Sequence, residues 1–212
     1  MQDERFNVRA VLFDLDGVLV DSYRVWFHLL NGAASELGYP PISPEDFRPC
    51  WGQGIEADVE KFFPRHSVAE IETYYGDHFC DHLEHLGVDP EVPEVFETLR
   101  QRSLRTAVIT NTPAPVAWDV VNRTGATPDL LVGGTDVPRA KPAPDMVLRA
   151  CELFEIPAGE ALVVGDSRYD REAARAAGTL FAGLGIDGDV RLDRLVEVLR
   201  VTDAAPGRGR CS

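Results

Sequence analysis

The sequence predicts an α/β protein, a doubly wound parallel sheet interrupted once by an all-helical insertion. Three observations carry that expectation. Short apolar runs of strand length recur along the chain, segments of helical period separate them, and the stretch from about Ser22 to Gly87 has helical periodicity with no buried strand. The 212 residues suffice for one large domain, or for one core with a modest insertion.

The first run lies in RAVLFDLDG, residues 9 to 17, and breaks at acidic residues and then glycine, as a buried strand ending in a loop does. Ser22 to Leu37 carries apolar residues on one face and stops at Gly38, with Pro40 and Pro41 just beyond. A second long helix is predicted over Val68 to Leu86. Strands follow at Thr106 to Thr110, Leu130 to Val132, Ala161 to Gly165 and, more weakly, Leu180 to Ala182. Helices are predicted at Val95 to Arg102, Pro115 to Arg123, Asp145 to Phe154, Tyr169 to Ala177 and Leu192 to Arg200. Strands alternating with helices make βαβ units, whose functional groups gather at the carboxyl ends of the strands. The expected division is an α/β core over 1–20 and 89–204, a helical cap over 21–88, and a disordered tail over 205–212, where the sequence reads APGRGRCS.

Charge narrows the partners. Asp and Glu number 35 against 21 Lys and Arg, for a net charge of -14 with no basic block, so a nucleic-acid backbone would be repelled. No apolar run approaches the roughly 18–20 residues that span a bilayer, and MQDERFNVRA lacks the form of a signal peptide. No membrane partner and a cytoplasmic location are expected. Cys50, Cys80, Cys151 and Cys211 show no CxxC spacing and read as reduced structural thiols. Of the basic residues only Lys61 and Lys141 are lysines.

Polar clusters stand where the sheet places strand ends. Asp14 and Asp16 are two apart and leave the strand on the same side, where two carboxylates near a core repel unless a cation neutralises them; a solvated strand end is the plainer reading. Thr110 and Asn111 end the next strand, as functional groups or as a turn cap. Lys141, in RAKPAPD, is a compact point charge in a chain that otherwise uses arginine. Asp166 ends a further strand, with Asp170 four residues on at a helix start, where one of them could be an N-cap.

Together these motifs resemble the haloacid dehalogenase superfamily: FDLDGVLVDS from Phe13, ITNT from Ile109, KPAPD from Lys141 and VVGDSRYDREAARAAG to Gly178. Within it the chain is similar to the phosphoglycolate phosphatase and β-phosphoglucomutase group, whose Rossmann-like core carries a helical cap. The resemblance implies Asp14 as nucleophile forming an aspartyl-phosphate, and Asp16 as general acid and then base. It implies Mg²⁺ held by Asp14, the Asp16 carbonyl and Asp166, with Asp170 in support. Thr110, the Asn111 amide and Lys141 would hold the phosphoryl oxygens, and Gly17 would leave room for substrate. CWGQG, Cys50 to Gly54, is similar to a specificity loop, placing Trp51 and Gly52 at the substrate. The implied partner is a small-molecule phosphate ester, and the implied assembly a monomer or homodimer.

Rival readings remain at this level. Dehalogenation lacks the acid/base aspartate that Asp16 supplies, and a Schiff-base role for Lys61 competes with a solvated charge on a helix. A phosphomutase shares the same core, and a non-catalytic phospho-ligand-binding module would be favoured by loss of Asp14 or Asp16, neither of which is lost. His78, His82 and His85 fall on one face of the predicted second helix, a metal-like spacing set against ordinary packing beside Ile71, Tyr75 and Phe79. The second motif reads TNT where phosphoglycolate phosphatases usually have TNK, so Thr112 leaves the exact substrate open.

Overall fold

The computed structural model describes residues 7–203; the expected tail over 205–212, with Cys211, lies outside them. Its order is β1 (Ala10–Phe13), β2 (Val20–Asp21), α1 (Tyr23–Glu36), α2 (Pro44–Phe47), α3 (Ile55–Phe62), α4 (Val68–His78), β3 (Gly87–Val88), α5 (Val92–Gln101), β4 (Arg105–Thr110), α6 (Ala114–Thr124), β5 (Leu130–Gly133), α7 (Asp145–Phe154), β6 (Ala161–Gly165), α8 (Arg168–Ala177), β7 (Leu180–Leu184), β8 (Val190–Leu192) and α9 (Val198–Thr202).

Six strands form one sheet in the order β5-β4-β1-β6-β7-β8, every neighbouring pair parallel. The central strands are apolar on both faces because both are covered. Val11 and Phe13 of β1, with Val108 and Val164, join α5, α6 and α9 in one buried cluster. Ala10 and Leu12, with Ile109 and Val163, pack with α7 and α8 in the other. The first cluster continues into the helical segment through Val25, Leu29, Ile71 and Tyr75. Chain order reverses direction at β1, so the carboxyl ends of β1, β4 and β6 open on one crevice, the place where such sheets hold ligands.

Three elements differ from expectation. The helix predicted over Val68 to Leu86 ends at His78 and continues as a 3₁₀ segment, Phe79–His85. The helix predicted over Leu192 to Arg200 begins later, because buried Leu192 closes β8 while Glu91 accepts hydrogen bonds from Arg194 and the Val196 N–H, starting a new turn at Leu195. β2 and β3 form a two-stranded antiparallel ribbon, too short for a periodic signal, and α1 to α4 all fall between them. No helix among the described residues is long and apolar enough to cross a membrane.

Candidate active site

The site begins where β1 ends. Asp14 extends the ladder by donating its N–H to the Val164 carbonyl at 2.9 Å, and its carboxylate is buried against the Lys141 ammonium at 2.7 Å. Burial pushes the Asp14 pKa well above the usual carboxylate range; Asp170 pushes the same way and Lys141 opposes both. Lys141 spends its donors on Asp14, on Asp170 at 2.6 Å and on the Ile109 carbonyl at 3.0 Å. Burial alone would favour its neutral form, but the two carboxylates outweigh it and raise its pKa.

Asp166 and Asp170 complete the cluster from β6 and α8. Gly17 adopts φ +85°, and a Cβ there would lie 2.0 Å from Asp166 Oδ2, so the space this glycine leaves is filled by Asp166 rather than by substrate as expected. Burial, with Asp170, raises Asp166 to about 7. At Gly165 a Cβ would collide with the Asp170 side chain at 2.3 Å. Ser167 is the N-cap of α8 and Asp170 its capping-box partner, so the helix cap and the counterion of Lys141 are one residue.

Asp14, Asp166 and Asp170 bring oxygens within 4.8 Å of one another, the one group of at least three potential metal ligands among the described residues. The expected ligand Asp16 is not in that group as a carboxylate. Its Oδ2 accepts hydrogen bonds from Thr112 Oγ1 at 2.7 Å and Thr110 Oγ1 at 3.3 Å; its Oδ1 accepts from Trp26 Nε1 at 3.1 Å and from Ser22 Oγ. Only its main-chain carbonyl, the atom implied by the resemblance, remains for a metal. Ser22 sits at the N-cap of α1 without capping it, because its hydroxyl is turned to Asp16 instead. Ser22 and Trp26 had no reading as Asp16 partners in the sequence, since no spacing rule connects them to it.

Asn111 behaves differently from expectation. Its side-chain amide donates to the carbonyls of Gly52 at 2.9 Å and Lys141 at 3.0 Å and accepts from the Lys141 N–H at 2.8 Å. It ties the CWGQG loop to the sheet and leaves only the backbone N–H for a ligand. Gly52 has φ +83° and faces the Tyr169 ring, while Trp51 stands edge-on to Tyr23 at 5.3 Å. Trp51 and Gly52 line the same small cavity, of about 40 Å³, as Asp14, Asp16, Asn111 and Lys141.

The histidine face does not form. The 3₁₀ turn after His78 changes the angular step between residues; His82 and His85 turn towards His28, whose ring stacks on His85 at 4.4 Å, while the His78 ring lies tilted against Tyr74 at 4.3 Å. Lys61 is exposed but not freely solvated, as its ammonium donates to the Asp46 carbonyl at 3.0 Å and to Cys50 Sγ at 2.8 Å.

A family model described as haloacid dehalogenase-like hydrolase matches residues 11–184. A phosphoglycolate phosphatase of Chromobacterium violaceum is 32% identical over 190 residues, covering 84% of this chain and 86% of the relative. One of Aquifex aeolicus is also 32% identical, covering 88% of each. Among solved structures, CbbY of Rhodobacter sphaeroides in complex with phosphate superposes with a TM-score of 0.78 at 22% identity, over 90% of this chain and 96% of that one.

Proposed function

Since the chain belongs to the haloacid dehalogenase-like hydrolase family and is a phosphatase, we propose that it hydrolyses a small-molecule phosphate monoester through an aspartyl-phosphate on Asp14. The segment 21–88 serves as a cap over a core made of 7–20 and 89–203. The observation that carries this reading is the pair of unlike carboxylates on one strand end: Asp14 buried against Lys141, Asp16 facing four side-chain donors.

Asp14 is placed to attack phosphorus, splitting one hard displacement into two. Asp16 protonates the leaving alkoxide and later takes the proton of the attacking water. Lys141 stabilises charge on the phosphoryl oxygens, and Asp170 holds its ammonium in place. Two buried carboxylates and a half-buried third against one ammonium, all oxygen donors, suit a hard divalent cation. Mg²⁺ held by Asp14 and Asp166, with Asp170 in support, would offset the repulsion and polarise the phosphoryl group. Neither a mutase nor a non-catalytic module is favoured, given relatives that are phosphatases and both aspartates in place.

Release of inorganic phosphate from p-nitrophenyl phosphate and from an alkyl phosphate panel tests the reading. Turnover is expected with Mg²⁺ and should vanish with EDTA; turnover that survives EDTA would sink the metal requirement. Thr112→Val tests Asp16. Losing a hydrogen bond to a charged group costs about 1.5–3 kcal/mol, so kcat/KM for alkyl phosphates, which reports formation of the aspartyl-phosphate, should fall roughly tenfold or more. p-Nitrophenolate leaves without a proton, so its kcat/KM should change much less; equal losses of kcat/KM on both would remove the general-acid role.

A further inference from the structure

The cap half of the cavity contains a carboxyl group that the proposed mechanism does not use. Asp58, on α3, is buried and lines the same cavity as Asp14 and Asp16. Gln53 Nε2 donates to its Oδ1 at 2.7 Å and the Tyr75 hydroxyl to its Oδ2 at 3.0 Å. The CWGQG loop, α3 and α4 thus converge on one side chain in the cavity that Asp14 and Asp16 also line. Around it the wall is aromatic and aliphatic, with Trp26, Phe47, Trp51 and Ile55.

Charge decides what this wall accepts. Among the described residues the only cation lining the cavity is Lys141, which is already committed to Asp14, Asp170 and the Ile109 carbonyl. A substrate bearing a second anion, such as a carboxylate beside its phosphate, would find no counterion in the cap and would face Asp58. A hydroxyl can instead donate to Asp58, each of whose oxygens has a further lone pair, while its carbons rest on the aromatic wall.

We propose that Asp58, oriented by Gln53 and Tyr75, is a specificity-determining residue that selects an uncharged, hydroxyl-bearing leaving group and rejects one carrying a second negative charge. The inference rests on the phosphatase reading and narrows it, away from the phosphoglycolate named for the relatives. Burial raises Asp58 to about 7, against the lowering effect of Gln53 and Tyr75; Glu56 adds to the rise and Lys61 opposes it. Across the cavity stand Asp14, Asp16, Lys141 and Cys50. Near and above neutral pH the group therefore bears the charge that rejects an anion.

The test compares 2-hydroxyethyl phosphate with phosphoglycolate, a matched pair differing in a hydroxymethyl or a carboxylate. In the unmodified protein kcat/KM should favour the hydroxyl compound by at least about tenfold, and Asp58→Asn should shrink that ratio by about as much, chiefly through a lower KM for phosphoglycolate. Preference for phosphoglycolate in the unmodified protein, or a ratio unmoved by Asp58→Asn, overturns the proposal. A purely structural Asp58 would lower both substrates together. Calorimetric binding of the same two esters to Asp14→Asn, with and without Asp58→Asn, reads the ratio without turnover. A protein that hydrolyses nothing but keeps the binding preference would refute the phosphatase reading alone; binding of neither ester would refute both.

Thermal unfolding checks that the variant folds. A buried acid with a raised pKa stabilises the fold below its unfolded value of 3.8 and loses that contribution as pH rises towards 7. Asp58→Asn should therefore gain Tm relative to the parent between those limits and hold the gain above pH 7. A Tm lower than the parent at pH 8 would mean that the hydrogen bonds of Asp58, rather than its charge, dominate, and would count against selection by charge.

Discussion

Replacing Lys141 by alanine is expected to abolish turnover and weaken the fold together. Lys141 is 3% exposed, and its ammonium pairs with Asp14 and Asp170. Removing one partner of a buried ion pair typically costs about 3–5 kcal/mol, because it strands the opposite charge. Here two carboxylates are stranded side by side. Urea denaturation should show that loss, and kcat should fall by at least about 10²-fold, as removal of a preorganised donor does. Lys141→Arg should not rescue activity, since a planar guanidinium cannot place one donor each on Asp14, Asp170 and the Ile109 carbonyl in so tight a site. Substantial turnover in either variant would remove Lys141 from the mechanism.

Asp14→Asn should separate activity from stability in the opposite sense. The proposed nucleophile is lost, so kcat should drop by at least about 10³-fold. The fold should nonetheless become more stable in EDTA, because a buried carboxylate beside Asp166 and Asp170 is exchanged for a neutral amide of the same shape, while Lys141 keeps Asp170. Asp14 has its folded pKa raised, so its contribution is lost as pH rises, and the Tm advantage of the variant should widen from acid towards neutral pH. Added Mg²⁺ should narrow or reverse it by stabilising the parent. A variant less stable than the parent in EDTA at neutral pH would show that the pairing of Asp14 with Lys141 outweighs the repulsion. Sites that sacrifice stability for function behave in this way.

The histidines, Asn111 and Gly17 mark the limits of reading the site from the chain alone. The histidine spacing assumed a continuous α-helix, and the change to 3₁₀ after His78 dispersed it. At its strand end Asn111 is open to a functional role or a turn cap, and only the fold ties its side-chain amide to Gly52, 59 residues away in the chain. For Gly17 the chain alone indicates a need for space, while the fold fills that space with Asp166. Asp58 gave no signal at all, because an aspartate in an amphipathic helix reads as a solvated face until Gln53 and Tyr75 are folded around it.

By itself the sequence determined the central parallel strands, the helical stretch between residues 22 and 87, and the acids and lysine at the strand ends. These are set by local rules: apolar runs make buried strands, and side chains just past them emerge at one edge of the sheet. Only the tertiary structure decided which donors hold Asp16, which carboxylates share Lys141, and which residues of the helical segment line the cavity beside them. The pairings of Lys141 reach Asp170 at 29 residues and Asp14 at 127, and those of Asp16 run from 6 residues to 96; burial then sets their charge, a quantity no local pattern carries.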